Sequence, residues 1–396
     1  MLQHLFKLIW NKKKHNFLIM LELFFSFLVM FAVFTLVINY YKAYREPRGF
    51  EYKNVWNITR NTSGSEDKQP LSRDSAMLLE QMVKQQIRSM PEVEQVSYTS
   101  NNTPYARTRI FVNNLTYGKV KTVADIYTVE DNYATLMNMK LLSGRWFNRD
   151  DNAAGYTPIV INTKLKDKLF RDEDPINKVI TLLDRSYRVI GVVNDMKNKG
   201  DYVMPESGFY TRPDSTFYGN SNTIQVSVKP GTGASFEAQL FKTLSSLARN
   251  ASIEIEHLEK RRAAKNKEQL VPLVIILIVT LFFIINVALG LFGVLWHNIN
   301  KRRGEIGLRR AIGATKKDIA WQLIGETMVL STLSMLTGCF FAIQFPLMNI
   351  FDLSTSTYLL ALVLSIVFIY VLVIICALYP GKQAADIYPA IALHEN

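Results

Sequence analysis

Four long apolar runs divide the chain, at residues 17–38, 270–296, 323–345 and 357–379. Each supplies about the 20 predominantly apolar residues that a helix needs to cross a bilayer. Between the first two lies a polar region, residues 39–269, large enough for two lobes. Residues 75–90 place Ala76, Leu79, Val83, Ile87 and Met90 on one face and stop at Pro91, which predicts an amphipathic helix. Residues 93–100 alternate and predict a strand. A matching unit lies at the far end: strand 223–229, helix 235–248, strand 252–258. Two such units around a long insertion predict an α+β lobe built from both ends, residues 39–109 and 205–258. The insertion, residues 110–204, has strand-like runs at 120–128, 157–161, 179–183 and 187–193, and predicts a second, mostly β lobe. Residues 61–69 (NTSGSEDKQ) read as a loop. The expected fold class is an α-helical membrane protein with four transmembrane helices and a large α+β extracytoplasmic domain inserted between helices 1 and 2.

Charge then sets the orientation. The chain carries 46 Lys and Arg against 34 Asp and Glu, a net charge of +12 that could also suit nucleic acid. Much of the excess flanks the apolar runs, and no RNP, zinc-finger or basic-zipper pattern occurs. Lipid headgroups and topology account for it, and no nucleic-acid partner is expected. The densest stretch, KRRGEIGLRRAIGATKKD (residues 301–318), lies between the second and third runs and marks the cytoplasmic side of a segment 297–322. The loop 346–356 has no Lys or Arg and one acid, Asp352, so it is expected outside, with both termini inside. Residues 259–269 are basic on the outer side, against that rule, which binds long translocated regions only weakly. They read as a stalk helix running into the second span, with Pro272 tolerable in its first turn.

Residues 1–16 place Leu2, Leu5, Phe6, Ile9 and Trp10 on one helical face and Lys12–Lys14 behind them, as in a helix lying in the headgroup layer. The first apolar run is too long for a signal-peptide core and reads as a retained anchor. Cys339 and Cys376 both fall in apolar runs, so neither a disulfide framework nor a Cys-based metal site is expected.

Within the basic stretch, Leu308, Ala311 or Ile312, Thr315 and Ile319 recur every three to four residues, which predicts a helix with one less polar stripe. Gly313 predicts a bend or cap in it. Two acids lie inside spans, Glu22 and Glu326. Such a carboxylate is either a functional group or one close enough to the interface to snorkel, cap or pack.

The series E-I-G-L-x-R-A-I-G-A-T-x-x-D over residues 305–318 closely resembles the cytoplasmic segment of the MacB/FtsX/LolC family of ABC-transporter permeases. LLSGRWFNRDD (residues 141–151) resembles that family's G-R-x-F-x-x-x-D turn. Residues 158–195 resemble its strand, its "LF…DP-x-G-K" turn and its closing V-x-G-V strand, with Asn177 where the family usually has glycine. The A-x-x-I-x-P-A-x-A-L ending (residues 384–393) resembles its C-terminus, and Glu326 matches a glutamate common at that place. The resemblance implies that the end-built lobe is a porter subdomain and the insertion a sabre subdomain, in the periplasm of a bacterial inner membrane. It also implies that an ABC ATPase dimer grips the segment 297–322. The polar contacts would fall to Arg302, Arg303, Glu305, Arg309 and Arg310, and the apolar ones to Ile306, Leu308, Ala311 and Ile312 around Gly313.

No G-x-x-x-x-G-K-[ST], H-E-x-x-H, C-x-x-C or G-x-S-x-G pattern occurs. The expectation is a non-catalytic subunit without a cofactor of its own, with ATP and Mg bound by a separate ATPase. Four spans are too few for a symmetric transporter, so a second permease chain is expected, as a homodimer or a homologous heterodimer. Membrane lipid and a periplasmic adaptor or outer-membrane partner complete the expected contacts. By the resemblance, ATP-driven motion reaches the outer domain by mechanotransmission. It would act on a periplasmic or outer-leaflet cargo, in efflux of a peptide, toxin or antibiotic, or in lipoprotein handling. Two other readings stand beside it. One is an FtsX-like regulator of a partner such as a cell-wall hydrolase; the other is a membrane-anchored sensor, which leaves the third and fourth spans without a role.

Overall fold

A computed structural model describes residues 13–61, 73–183, 185–213, 223–247 and 252–386. Residues 1–12 of the expected N-terminal helix, most of the loop at 61–69 and most of the C-terminal ending lie outside the described residues. The chain divides into two compact units, Met1–Lys42 with Val271–Asn396, and Ala43–Leu270. Helix α1 (Lys13–Arg45) outruns the first apolar run at both ends, so residues 13–16 belong to it rather than to a separate N-terminal helix.

The unit Ala43–Leu270 forms, in order, β1 (Val55–Asn61), α2 (Arg73–Arg88), β2 (Val93–Thr99), β3 (Phe111–Tyr117), β4 (Val120–Thr128) and a short α3 (Tyr133–Leu136). There follow β5 (Leu141–Gly144), β6 (Thr157–Asn162), α4 (Thr163–Leu169), β7 (Val179–Leu182), β8 (Arg185–Val193) and β9 (Gly208–Thr211). The region closes with β10 (Thr223–Val228), α5 (Ala234–Leu247) and β11 (Ser252–His257). Strands β11-β1-β10-β2 make an antiparallel sheet drawn from both ends of the region. Alternation along it sends Trp56, Ile58, Val96, Tyr98, Ile224 and Val226 to one face, where Val83 and Ile87 of α2 and Leu240 and Leu244 of α5 cover them. The opposite face buries polar side chains, which pair with one another: Gln225 donates to Asn57 Oδ1 at 2.8 Å.

The other lobe is a barrel. Pairings run β8–β6–β9–β4–β3–β7 and return to β8, with β5 added along the same edge of β8 as β7. The β3–β7 seam is a single pair, Thr116 with Thr181. Leu115, Ile159, Ile161, Leu165, Ile180, Val189 and Phe209 fill the interior. This lobe extends past the expected limit at residue 204, because β9 pairs with both β4 and β6 and the ring cannot close without it. At four residues, β9 is too short to show a sequence period.

The two motifs of this lobe are in contact. Gly144 (φ +69°) and Gly191 lie where β5 crosses β8, and a Cβ on either would strike the other strand's backbone. Arg145 grips Asp151 through two hydrogen bonds of 2.6 and 2.8 Å. Asp151 also accepts the Asn148 amide at 3.0 Å, closing the 3₁₀ turn Arg149–Ala153. Asn177 stands at φ +64°, a left-handed position that asparagine tolerates better than other residues with a side chain.

After β11 the chain enters α6 (Leu258–Lys301), an unbroken helix of 44 residues. Then come α7 (Arg303–Ala311), α8 (Lys316–Leu347) and α9 (Thr355–Ala385). Helices α1, α6, α8 and α9 are each long and apolar enough to cross a membrane. Their shared core includes Leu23, Phe27 and Phe31 of α1, Leu291 of α6, Leu330 and Met335 of α8, and Ala361, Ile369 and Val373 of α9. Gly338 admits the Phe27 ring at a distance that no Cβ would allow. The buried hydroxyls of Thr327, Ser334 and Ser365 return to carbonyls one turn back, so they leave no free donor in an apolar bundle. Lys42 gathers the hydroxyls of Ser354, Ser356 and Thr357, tying the end of α1 to the start of α9.

The Pro380-Gly381 pair, whose local chemistry favours a break, does not end the last helix. Helix α9 continues through Pro380 and Gly381 to Ala385. The proline forfeits one backbone bond, but Pro380, Gly381, Ala384 and Ala385 are all buried, and Ala384 packs with Ile319 and Leu323.

Asp151 is buried, and the Arg145 hydrogen bonds hold its carboxyl below the usual range against the opposing effect of burial. A depressed folded value means that its contribution is complete above about pH 4 and fades as pH falls through the lower folded value. Arg145 is partly exposed, which reduces the worth of the pair. Asp151→Ala should cost about 2 kcal/mol. Thermal melting at neutral pH should drop by about 5 °C, with the gap to the native chain narrowing in acid. An unchanged melt at pH 7 would refute this role.

Candidate functional site: a basic helix–turn–helix between two spans

The basic stretch is not one striped helix. Helix α7 ends at Ala311 with Ile312 as its C-cap, Gly313 takes φ +105°, and α8 starts afresh at Lys316 behind the N-cap Thr315. Thr315 and Asp318 form a reciprocal cap: Asp318 N donates to Thr315 Oγ1 at 3.2 Å, and Thr315 N donates to Asp318 Oδ2 at 3.0 Å. The hydrogen bonds from Thr315 lower the Asp318 carboxyl from its usual value. Thr315 is therefore a cap, and Ile319 faces inward from the next helix. Leu308 and Ile312, expected on a shared stripe with them, are 54% and 79% exposed.

Arg302 fastens α7 from beneath. Its guanidinium reaches Glu305 at 2.9 and 3.1 Å and Glu326, on α8, at 2.7 Å. Those bonds, with Glu305 first, raise the Arg302 affinity for its proton against burial that opposes it. Arg309 reaches Glu305 at 2.9 Å and Gln322 Oε1 at 2.5 Å, and Gln322 donates to Glu326 Oε1 at 3.0 Å. Five side chains thus lock a nine-residue helix to the first turns of α8. Below them Ile306 sits among Ile299, Ile319, Leu323 and Ala384.

The ten expected coupling residues therefore divide. Ile306 is only 4% exposed and packs inside the chain, which corrects the expectation that it offers an apolar contact to a partner. Arg302 and Arg309 are engaged in the lock, and Arg310 donates to the Ala314 carbonyl at 3.3 Å. Arg303, Leu308, Ala311, Ile312 and Gly313 face outward, as does Glu305, which the lock also holds. Sequence reasoning missed Gln322, although its i,i+4 spacing to Glu326 was a signal, and the T-x-x-D capping pattern was another.

Of the two intramembrane acids, Glu326 belongs to this lock. Glu22 does not: its carboxylate lies against the Cα of Gly290 on α6, where a Cβ would collide with it. No described residue donates a hydrogen bond to that carboxylate, and Ser26 donates only to the Glu22 backbone carbonyl, at 2.5 Å.

A second polar knot lies within Ala43–Leu270. Lys197, almost fully buried, donates to the Ala43 carbonyl at the end of α1 and to the Asp201 carbonyl. Asp201 in turn takes Arg262 Nε and Asn266 Nδ2, both on α6, at 2.9 Å each. Gln269 donates to the Lys199 carbonyl one turn further along. One loop of the barrel lobe, residues 194–201, is thereby bonded to the end of α1 and to the opening turns of α6.

Comparison with known proteins agrees with this architecture. A family model described as a MacB-like periplasmic core domain matches residues 17–240, and one described as FtsX-like permease C-terminal matches residues 277–389. The chain belongs to the MacB/FtsX-type family of ABC transporter permeases. The macrolide export ATP-binding/permease protein MacB of Neisseria gonorrhoeae is 26% identical over 253 residues, covering 61% of this chain and 38% of that protein. The chain thus spans well under half the length of that relative. The ABC transporter permease YvrN of Bacillus subtilis is 22% identical over 416 residues, 99% of both chains. Among solved structures, the periplasmic region of MacB from Actinobacillus actinomycetemcomitans aligns with a TM-score of 0.39 at 20% identity, covering 56% of this chain and 97% of that one.

Glu326→Gln removes one of the two carboxylates that Arg302 bridges while keeping the side chain's size. Loss of a charged hydrogen bond of about 1.5 kcal/mol should speed amide exchange across α7 roughly tenfold in bilayer discs. Exchange in α2 and α5 should stay as in the native chain. Equal α7 exchange in both proteins would show that Ile306 alone holds the helix.

Proposed function

We propose that this chain is the permease subunit of an ABC system in which a separate ATPase dimer, carrying ATP and Mg, docks on α7. The observation that carries this reading is the two-sided character of α7. Its outer face presents Leu308 and Ile312 among Arg303 and neighbouring cations, while its inner face is locked to α8. An exposed apolar pair ringed by charge is the anatomy of a docking surface, and a rigid underside lets displacement of that surface move the span instead of bending a loop. That the Neisseria relative is named an ATP-binding/permease protein supports the pairing with an ATPase.

In this reading the basic segment and both termini are cytoplasmic, and Ala43–Leu270 lies on the periplasmic side of a bacterial inner membrane. A second permease chain, identical or homologous, completes the pair of docking sites. Closing of the ATPase dimer pushes α7; α8 and the end of α6 follow, and the motion enters the outer domain through α6 and α1. The knot of Lys197, Asp201, Arg262 and Asn266 makes the barrel lobe follow both helices at once. Cargo is handled outside the lipid: a peptide, toxin or antibiotic for efflux, or a lipoprotein. The match to the FtsX-like C-terminal domain favours keeping one alternative, in which the outer domain activates a partner such as a cell-wall hydrolase without moving cargo.

Leu308→Asp with Ile312→Asp places two charges on the exposed apolar pair and disturbs no buried contact. Co-purification of an ABC ATPase with the full-length chain should fall at least tenfold, roughly the loss of 1.4 kcal/mol or more from an interface centre. Expression and thermal melting should stay at native levels. Undiminished ATPase recovery would overturn the proposed docking face.

A further inference from the structure

The helix ends beside α7 form a second feature, which the docking reading leaves unused. Between the start of α8 and the end of α9 runs an open groove of about 670 Å³. Its rim is basic, with Lys316, Lys317 and Lys382, and its floor is apolar, with Ile324 and Leu378 one to two turns further into the spans. Asp386 is the acid lining it, and Lys316 already holds that carboxylate at 2.5 Å. Lys382 and Arg310 add to the positive field that lowers the Asp386 carboxyl, after Lys316. Among the described residues, Lys317 and Lys382 make no hydrogen bond or ion pair, although Lys317 adds to the field on Asp318. The groove therefore keeps two ammonium groups beyond its internal pair.

Two aromatic side chains set its depth. Tyr379 lines the groove and is 57% exposed, and Trp321, one turn into α8, is 63% exposed. Large exposed amphipathic rings at the ends of spanning helices mark the headgroup level of a bilayer. A basic pocket between transmembrane helices at that level is the arrangement that holds an anionic headgroup.

We infer that this groove binds one anionic phospholipid, its phosphodiester between Lys317 and Lys382 and an acyl chain along Ile324 and Leu378. The apolar floor selects a lipid over free phosphate, which would use only the rim. It also selects a lipid over a soluble protein partner, which would not reach Leu378, exposed within the span. Charge selects an anionic lipid, because a zwitterionic headgroup would bring its own cation against the lysines. The site needs only that α8 and α9 cross a bilayer, and so stands apart from the docking of an ATPase on α7.

The full-length chain, stripped of lipid in mild detergent, is titrated with phosphatidylglycerol or phosphatidylcholine and examined by native mass spectrometry. One phosphatidylglycerol should be retained in preference to phosphatidylcholine, and excess inorganic phosphate should not displace it. Lys317→Gln with Lys382→Gln leaves the Lys316–Asp386 pair intact and should weaken retention roughly tenfold or more. Lys317→Arg with Lys382→Arg should preserve it, and all variants should melt with the native chain. Equal retention of the two lipids, displacement by phosphate, or native retention by the glutamine pair would each overturn the site. So would a glutamine pair that keeps its lipid but loses a co-purifying protein, since the groove would then belong to that protein.

Discussion

A single guanidinium holds the basic helix–turn–helix of this molecule together. Arg302 is largely withdrawn from water, and a buried charge without partners costs several kcal/mol. Its fork must therefore find carboxylates, and the two within reach lie on different helices, Glu305 on α7 and Glu326 on α8. Satisfying the charge fixes the angle between them. At nine residues, α7 is too short to persist on its own hydrogen bonds, so its existence as a helix depends on this bridge and on Ile306 beneath it. The turn that follows obeys the same demand, since Gly313 reverses the chain and the Thr315–Asp318 cap consumes donors that the new helix would otherwise leave open.

The same rule, that charge withdrawn from water must be answered, shapes the outer unit. Lys197 is nearly inaccessible, and its ammonium is answered by carbonyls, one of them in the last turn of α1, where helix carbonyls lack i+4 partners within the helix. Asp201, one turn of chain away, is answered by Arg262 and Asn266 from α6. Both obligations are met by one short loop of the barrel, so the barrel cannot shift against either helix end without exposing an unpaired charge. Sequence distance hides this: Lys197 and Ala43 are far apart in the chain, and no periodicity relates them.

What the sequence made legible follows from which forces act locally. The four spans and the α+β insertion were readable because apolar burial in lipid and on a sheet face each impose a period. Strand β4 and the unit β10–α5–β11 were readable to within a residue for that reason. Strands β1, β3, β5 and β9 were not: Val55–Asn61 mixes buried polar with apolar positions, β3 buries only Leu115, β5 is exposed throughout, and β9 is buried at successive positions without alternation. At the candidate site the basic residues and Gly313 were visible, but which face each side chain takes was not. Ile306 and Leu308 look equivalent in the sequence, and only the packing of α8 and α9 against α7 buries one and exposes the other. Pro380 shows a related effect: local chemistry says stop, and tertiary burial of Ala384 carries the helix on.

The distribution of cations at this end of the bundle has its own logic. Arginines take the internal positions: Arg302 and Arg309 each meet acceptors on two different helices through a planar, pre-organised fork. Lysines take the rim of the groove, where a flexible, strongly hydrated charge suits a mobile phosphodiester better than a fixed fork would. Exchange of the two types would not be conservative on the inner side, where a Lys at position 302 would lack the fixed fork that reaches Glu305 and Glu326 together. The cationic excess at this end of the bundle is thus two populations with different work. One locks the helices to each other, and the other meets whatever lies outside them.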